Sequence, residues 1–170
     1  RCMCGRVNVI DNPELQQLLK ELGIDLGLPS RSNIAPTDTL LMARQVDGDN
    51  ELTQTRWWLT PSWAQQPDQK FAMFNARSET IASSRAYKGP YKYKRGIVPV
   101  SSFIEWRSED GARQPYLIEA EDAALALACV WDCWEGQWDG REAVIESCSL
   151  VTTAAAPQFE QFHKRMPVIL

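Results

Sequence analysis

Leu15, Leu18, Leu19 and Leu22 recur at helical spacing behind Asn12 and Pro13, a capping side chain followed by the residue best suited to a first helical turn. The run stops at Gly23. This predicts a helix. Downstream the period shortens: residues 39–46 and 52–59 are apolar or β-prone runs joined through Asp47, Gly48 and Asp49, which predicts a hairpin. The same pattern returns twice. Residues 103–107 and 114–119 flank Asp110 and Gly111, and residues 125–138 and 141–152 flank Asp139 and Gly140. A short helix is expected at 157–163, with Phe159 and Phe162 on one side and Pro167 soon after its end. Together these elements predict a mainly β, α+β fold, an antiparallel sheet that becomes barrel-like if it closes, with a few peripheral helices. No repeat and no linker divides the chain, so a single domain over 1–170 is expected. Val168, Ile169 and Leu170 read as the beginning of a strand, where a domain seldom stops, so a C-terminal tail is expected to be missing.

Composition narrows the classes. The chain has 170 residues, 44% hydrophobic and 24% charged, which suffices for one core without staples. No apolar run approaches the roughly 18 residues of a spanning helix, and the start lacks the pattern of a signal peptide, so no membrane partner is expected. Five cysteines at irregular spacing cannot all pair, which suits a reducing compartment. The expected location is cytoplasmic, nucleoid-associated if the source is bacterial. The net charge of -4 is unevenly spread, because residues 81–104 carry Arg85, Lys88, Lys92, Lys94 and Arg95 and no acid. Interleaved with Tyr87, Tyr91 and Tyr93, that stretch has the chemistry of a surface that holds phosphates and stacks bases. On composition alone, a solvated loop face is the commoner meaning of such a stretch.

The candidate chemistry is sparse. His163 is the only histidine, so a His-rich metal site is excluded and any imidazole proton transfer must use it. Cys129 and Cys133 lack further ligands for zinc and read as buried thiols; no metal and no cofactor are expected. Near the start stands Met3-Cys4-Gly5-Arg6. Translation from Met3 followed by methionine removal would leave Cys4 with a free α-amine beside a thiol. Such an amine forms an imine with an aldehyde, and the thiol then closes a five-membered thiazolidine ring. The tetrapeptide alone also fits an inert terminal cysteine.

Further stretches follow in order: Asn33-Ile34-Ala35-Pro36-Thr37, Trp58-Leu59-Thr60-Pro61-Ser62-Trp63-Ala64, and Asn75-Ala76-Arg77-Ser78-Glu79-Thr80. Then come Val98-Pro99, Phe103-Ile104-Glu105-Trp106, Gln114-Pro115-Tyr116, Thr152-Thr153-Ala154-Ala155 and His163-Lys164-Arg165-Met166-Pro167-Val168. With Met3-Cys4-Gly5-Arg6, this series resembles the SRAP family, the SOS-response-associated peptidases that act as sensors of abasic sites in single-stranded DNA. The resemblance implies a β-rich SRAP-like fold and a partner, single-stranded DNA containing abasic sites, bound by a monomer. It implies that Cys4 forms a covalent thiazolidine with the ring-opened sugar, and that peptidase (hydrolase) and lyase-type activities accompany this role, including autoproteolytic exposure of the cysteine. By position, Cys4 matches the nucleophile, Asn75 the residue that orients it, Glu105 the acid-base carboxylate and His163 the histidine assisting sugar opening and imine chemistry. Arg77 and Arg85 match residues that hold the DNA backbone.

Physical need agrees with these roles. Opening a cyclic hemiacetal requires proton transfer, which suits a carboxyl or an imidazole, and Asn75 offers a donor and an acceptor without competing for the proton. Glu105 lies between Ile104 and Trp106, where desolvation would raise its pKa, although a surface glutamate has the same neighbours. Trp58, Trp63 and Trp106 are candidate base-stacking platforms or ordinary core and edge residues. Two features depart from the family pattern: Arg1-Cys2-Met3 precedes Cys4 and must be absent or removed to free its amine, and Ser102 stands where the family often has glycine. Two other readings stay open, a cysteine-dependent peptidase or amidase of N-terminal-nucleophile type and a non-catalytic module that binds single-stranded nucleic acid.

Overall fold

The structure, a computed structural model, describes residues 5–170. Cys4 therefore lies outside the described residues. In chain order the elements are β1 (Val7–Val9), α1 (Pro13–Glu21), β2 (Arg31–Ile34), β3 (Thr39–Val46), β4 (Asp49–Arg56), β5 (Asn75–Arg77) and α2 (Lys88–Tyr93). They continue as β6 (Arg95–Val100), β7 (Ser102–Glu109), β8 (Ala112–Ile118), β9 (Leu125–Trp138), β10 (Arg141–Ala154) and β11 (Arg165–Pro167).

The helix α1 forms as its pattern predicts. Asn12 Oδ1 accepts from the Leu15 N–H at 2.9 Å, Pro13 opens the first turn, and Leu15 and Leu19 are buried. The three predicted hairpins are present as β3–β4, β7–β8 and β9–β10. Each turns on an Asp-Gly pair with both residues at positive φ, 51° and 93°, 47° and 81°, and 51° and 75° in turn. Two-residue turns of that hand match the twist of the flanking strands, which is why Asp-Gly is favoured there. The first turn is tighter than expected, so β4 begins at Asp49 and ends at Arg56. Trp57 then leaves the ladder, fully buried, and its indole N–H donates to the Phe74 carbonyl at 2.9 Å.

Closure of the sheet is observed. β10, β4, β3, β6 and β9 form a ring, sealed by the long β9–β10 hairpin and by a parallel contact between Ser147 of β10 and Arg56 of β4. A second, antiparallel sheet has the order β2-β1-β7-β8. Val7, Ile34 and Phe103 from this sheet, Leu15 and Leu19 from α1, and Met42, Val98, Leu127 and Leu150 from the barrel share one apolar cluster.

One predicted element is absent. Residues 157–163 form two consecutive turns, with the Phe159 and Glu160 N–H groups donating to the Ala156 carbonyl and those of Phe162 and His163 donating to the Phe159 carbonyl. Breaking the helix lets Phe159 pack on Phe103 (centroids 6.0 Å) and Phe162 on Tyr116 (5.0 Å), so tertiary contact overrides local propensity. Beyond β11, Ile169 pairs with Leu127 in an isolated bridge, in keeping with the strand-like character of the last residues.

Candidate active site

The site residues come from both sheets. On β7, Glu105 is only 2% exposed, so it is a buried carboxylate and the surface-glutamate reading is excluded. Its Oε1 accepts from the Trp106 N–H at 3.3 Å. Burying a carboxyl group costs free energy unless the surroundings compensate, which makes this position a built feature. The start of the described chain runs along the same strand. The Ile104 N–H donates to the Arg6 carbonyl at 2.9 Å, continuing the pairing of Val7 with Phe103, and Gly5 follows at this end.

Across the β7–β8 ladder Glu105 faces Tyr116, so both side chains lie on one face of the sheet. The Tyr116 ring packs on Phe162, whose ring also meets Phe159 at 5.6 Å. This aromatic row seats the turns that carry His163 on the face that carries Glu105. The Arg165 N–H donates to His163 Nδ1 at 3.1 Å, an arrangement that leaves the ring proton on Nε2.

Asn75 and Arg77 arrive by another route. β5 runs parallel to β10, pairing Asn75 with Leu150 and Arg77 with Thr152, while β11 pairs antiparallel with β10, setting Thr152 opposite Pro167. The C-terminal end of β10 thus lies between the strand of Asn75 and Arg77 and the strand entered just after His163. Beneath β5, the Tyr87 hydroxyl donates to the Asn75 carbonyl at 3.3 Å. Burial raises the phenol pKa of Tyr87 above its usual value. This corrects the expectation for the aromatic-basic stretch: Tyr87 supports β5 and is not a stacking surface, whereas Tyr91 and Tyr93 are exposed.

The remaining candidates divide by exposure. Arg77 is exposed at the end of β5, and Arg85 is exposed with its guanidinium 4.3 Å from the ring centre of Trp63, itself 53% exposed. Trp63, Arg85, Lys88 and Tyr93 line a cavity of about 430 Å³ whose base holds Asp132 and Lys94. Lys94 is therefore not a free surface cation. Its Nζ donates to Asp132 Oδ1 at 2.5 Å, and the Ser62 and Cys133 N–H groups donate to the same carboxylate. Trp106 is half-buried, with Arg6 and Arg113 guanidinium groups 5.9 and 5.6 Å from its ring. Trp58 packs on Phe74 at 5.5 Å, as an edge-of-core residue would.

No cluster of three or more metal-ligating side chains occurs among the described residues. Cys129 is a buried thiol as expected, whereas Cys133 is only partly buried, which corrects its reading; Cys148 is buried too, and desolvation pushes its thiol up to about 12. Sequence reasoning assigned no role to Glu79, Thr152 or Arg165. Arg165 donates to both Glu79 carboxylate oxygens at 2.9 Å and to the Thr152 carbonyl at 2.9 Å. No spacing rule announces such a contact, because 86 positions separate the ion pair.

Residues 3–170 match the family model described as SOS response associated peptidase (SRAP). The chain is 31% identical over 175 residues to abasic site processing protein YoqW of Bacillus subtilis, covering 99% of this chain and 76% of that protein. It is 34% identical over 152 residues to abasic site processing protein HMCES of Gallus gallus, covering 74% of this chain and 45% of that longer protein. Crystal structures share the fold: one of a Bacteroides thetaiotaomicron protein superposes with a TM-score of 0.80 at 23% identity, covering 96% of this chain and 75% of that one. Another, of a phage-related protein from Bordetella bronchiseptica, gives 0.73 at 27% identity over 98% of this chain and 77% of that one. With motifs in order along nearly the whole length and the fold held in common, the chain belongs to the SOS response associated peptidase family.

Proposed function

We propose that this protein senses abasic sites in single-stranded DNA and joins to them covalently through Cys4. The observation that carries the reading is the fully buried Glu105, lying on the strand along which the chain emerges from Gly5 and sharing a sheet face with the anchored His163 turns. Names borne by relatives, abasic site processing proteins from Bacillus subtilis and Gallus gallus, support abasic sites as the target.

The chemistry runs as follows. A proton leaves the anomeric hydroxyl as another reaches the ring oxygen, opening the sugar to an aldehyde, with Glu105 and His163 as the proton carriers. The Cys4 α-amine adds to the carbonyl carbon, and loss of one water leaves an imine. The thiol then adds across the C=N bond: sulfur bonds to carbon, its proton passes to nitrogen, and the ring is a thiazolidine. Asn75 orients the nucleophile, Arg77 and Arg85 hold phosphates, and Trp63 and Trp106 offer faces to neighbouring bases. A peptide bond at the Cys4 nitrogen blocks the first addition. Any residue preceding Cys4 must therefore be absent or removed first; where removal is hydrolytic, one water is consumed, and the same carboxylate and thiol are suited to do it.

The test compares chain beginning at Cys4 with chain retaining Arg1-Cys2-Met3, each incubated with abasic single-stranded DNA and resolved by denaturing electrophoresis. Trimmed chain is expected to give an adduct that needs no reductant; untrimmed chain should give at most an imine trapped by borohydride. Cys4→Ala should lose the adduct and keep reversible binding. Equal yields without borohydride from untrimmed chain whose intact mass shows Arg1-Cys2-Met3 still attached would reject the mechanism, and a peptidase without DNA chemistry would give no adduct from either.

A further inference from the structure

The Glu79 carboxylate meets the Arg165 guanidinium fork to fork, with both nitrogen-oxygen distances at 2.9 Å. The same guanidinium reaches the Thr152 carbonyl at 2.9 Å and hydroxyl at 3.1 Å, so one cation ties the segment after β5 to β10 and to the first residue of β11. Thr152 is almost fully buried, and its carbonyl also accepts from the Ser78 N–H at 2.8 Å. Glu79 lies four residues beyond Asn75 and two beyond Arg77. Arg165 lies two residues beyond His163 and supplies the N–H that His163 Nδ1 accepts. Bidentate arginine-carboxylate pairs fix geometry as well as adding attraction, which a lone surface contact does not.

We propose that Glu79 is a positioning residue: through Arg165 it sets the His163 ring, with its proton on Nε2, at a fixed place relative to β5. The hydrogen bond from Arg165 holds the Glu79 carboxyl down at about 2, so the clamp stays charged across the neutral range. The inference deepens the proposed function and rests on it only for the kinetic consequence. It does not make Glu79 a contact of the DNA, whose phosphates an acid would repel.

Glu79→Gln keeps the side-chain length and removes the charge from a half-exposed position, so the fold should persist. Two measurements on chain trimmed to Cys4 decide the matter. The first is the single-turnover rate of adduct formation at saturating abasic DNA, alongside reversible affinity for DNA carrying a tetrahydrofuran abasic analogue. A positioned acid-base group contributes roughly 10²–10⁴-fold, so loosening it should slow the saturated rate by roughly tenfold. Affinity for the analogue should stay level or tighten, and Glu79→Asp should recover part of the rate.

The second measurement is long-range proton-nitrogen correlation of the imidazole at about pH 8.5, above the ordinary histidine range. As His163 is the only histidine, its signals assign themselves. The native protein should show one tautomer, with Nδ1 unprotonated, and Glu79→Gln an average of two. The inference is overturned if the saturated rate stays within about twofold of the native chain, or if the ring signals of the variant match the native ones. If the native chain forms no adduct at all, the proposed function fails, and the ring measurement still decides whether Glu79 fixes His163.

Discussion

Asp132 shows how one buried charge is kept charged. Burial pushes its carboxyl up, but the Lys94 ammonium, together with the Ser62 and Cys133 N–H groups, outweighs this and holds it below its ordinary 3.8. A carboxyl lowered on folding contributes stability above its unfolded pKa and loses it as pH falls through the folded value. Lys94→Met should therefore cost most at neutral pH. Breaking a buried pair typically costs about 3–5 kcal/mol, but Lys94 is 34% exposed, and screening by water reduces the expectation to about 1–2 kcal/mol. Urea unfolding at pH 7 should show that gap, and it should narrow on the acid side of about pH 3.8 as Asp132 protonates. A gap of the same size at both pH values would mean that the lysine acts by packing its stem. Residue by residue, chemistry type was legible in the chain: Glu105 and His163 as the groups able to move protons, and Asn75, through the family resemblance, as an amide that orients without competing for them. Their surroundings were not. Whether Glu105 was surface or core, and whether Lys94 was a free cation, depended on residues far away in sequence.

At the level of elements, local code governed wherever the backbone itself posed the problem. Asn12 and Pro13 begin a helix and three Asp-Gly pairs turn hairpins, because capping and positive φ are properties of a few adjacent residues. Gly140 tests this directly. Its φ is 75°, yet a Cβ built there would meet nothing within 4 Å, so any cost of Gly140→Ala is conformational. We expect a loss of about 1–2 kcal/mol in urea unfolding. Gly27→Ala, also in open space and without a positive φ, should be neutral or slightly stabilising. Equal effects at the two positions would show that the hairpin does not require the left-handed conformation. The short strands β1, β2, β5 and β11 carried no such code: three or four residues make no readable period, and each is a strand only because a partner's edge is there. The turns at 157–163 teach the same lesson in reverse, since a helix-like pattern gave way to two aromatic contacts.

For the molecule as a whole, a net charge of -4 repels a polyanion at long range, so the proposed binding of DNA requires a local basic surface. Each phosphate contact on a single strand contributes about 0.7 to the slope of log K against log salt. With DNA carrying the tetrahydrofuran analogue, Arg85→Ala should flatten that slope by about 0.7, and an unchanged slope would place Arg85 and Trp63 away from the DNA path. Legible along the chain were the class of fold, the helix, the three hairpins, the ordered motifs and the identity of the candidate groups. The elements depend on neighbours within a few residues, and the candidate groups on residue type together with the resemblance of the ordered motifs to the family. Closure of the sheet, burial of Glu105 on the face shared with the His163 turns and the reach of Arg165 to Glu79 across 86 positions emerge with folding. Each of these is a meeting of distant segments, selected by packing around a common core, and no local periodicity records it.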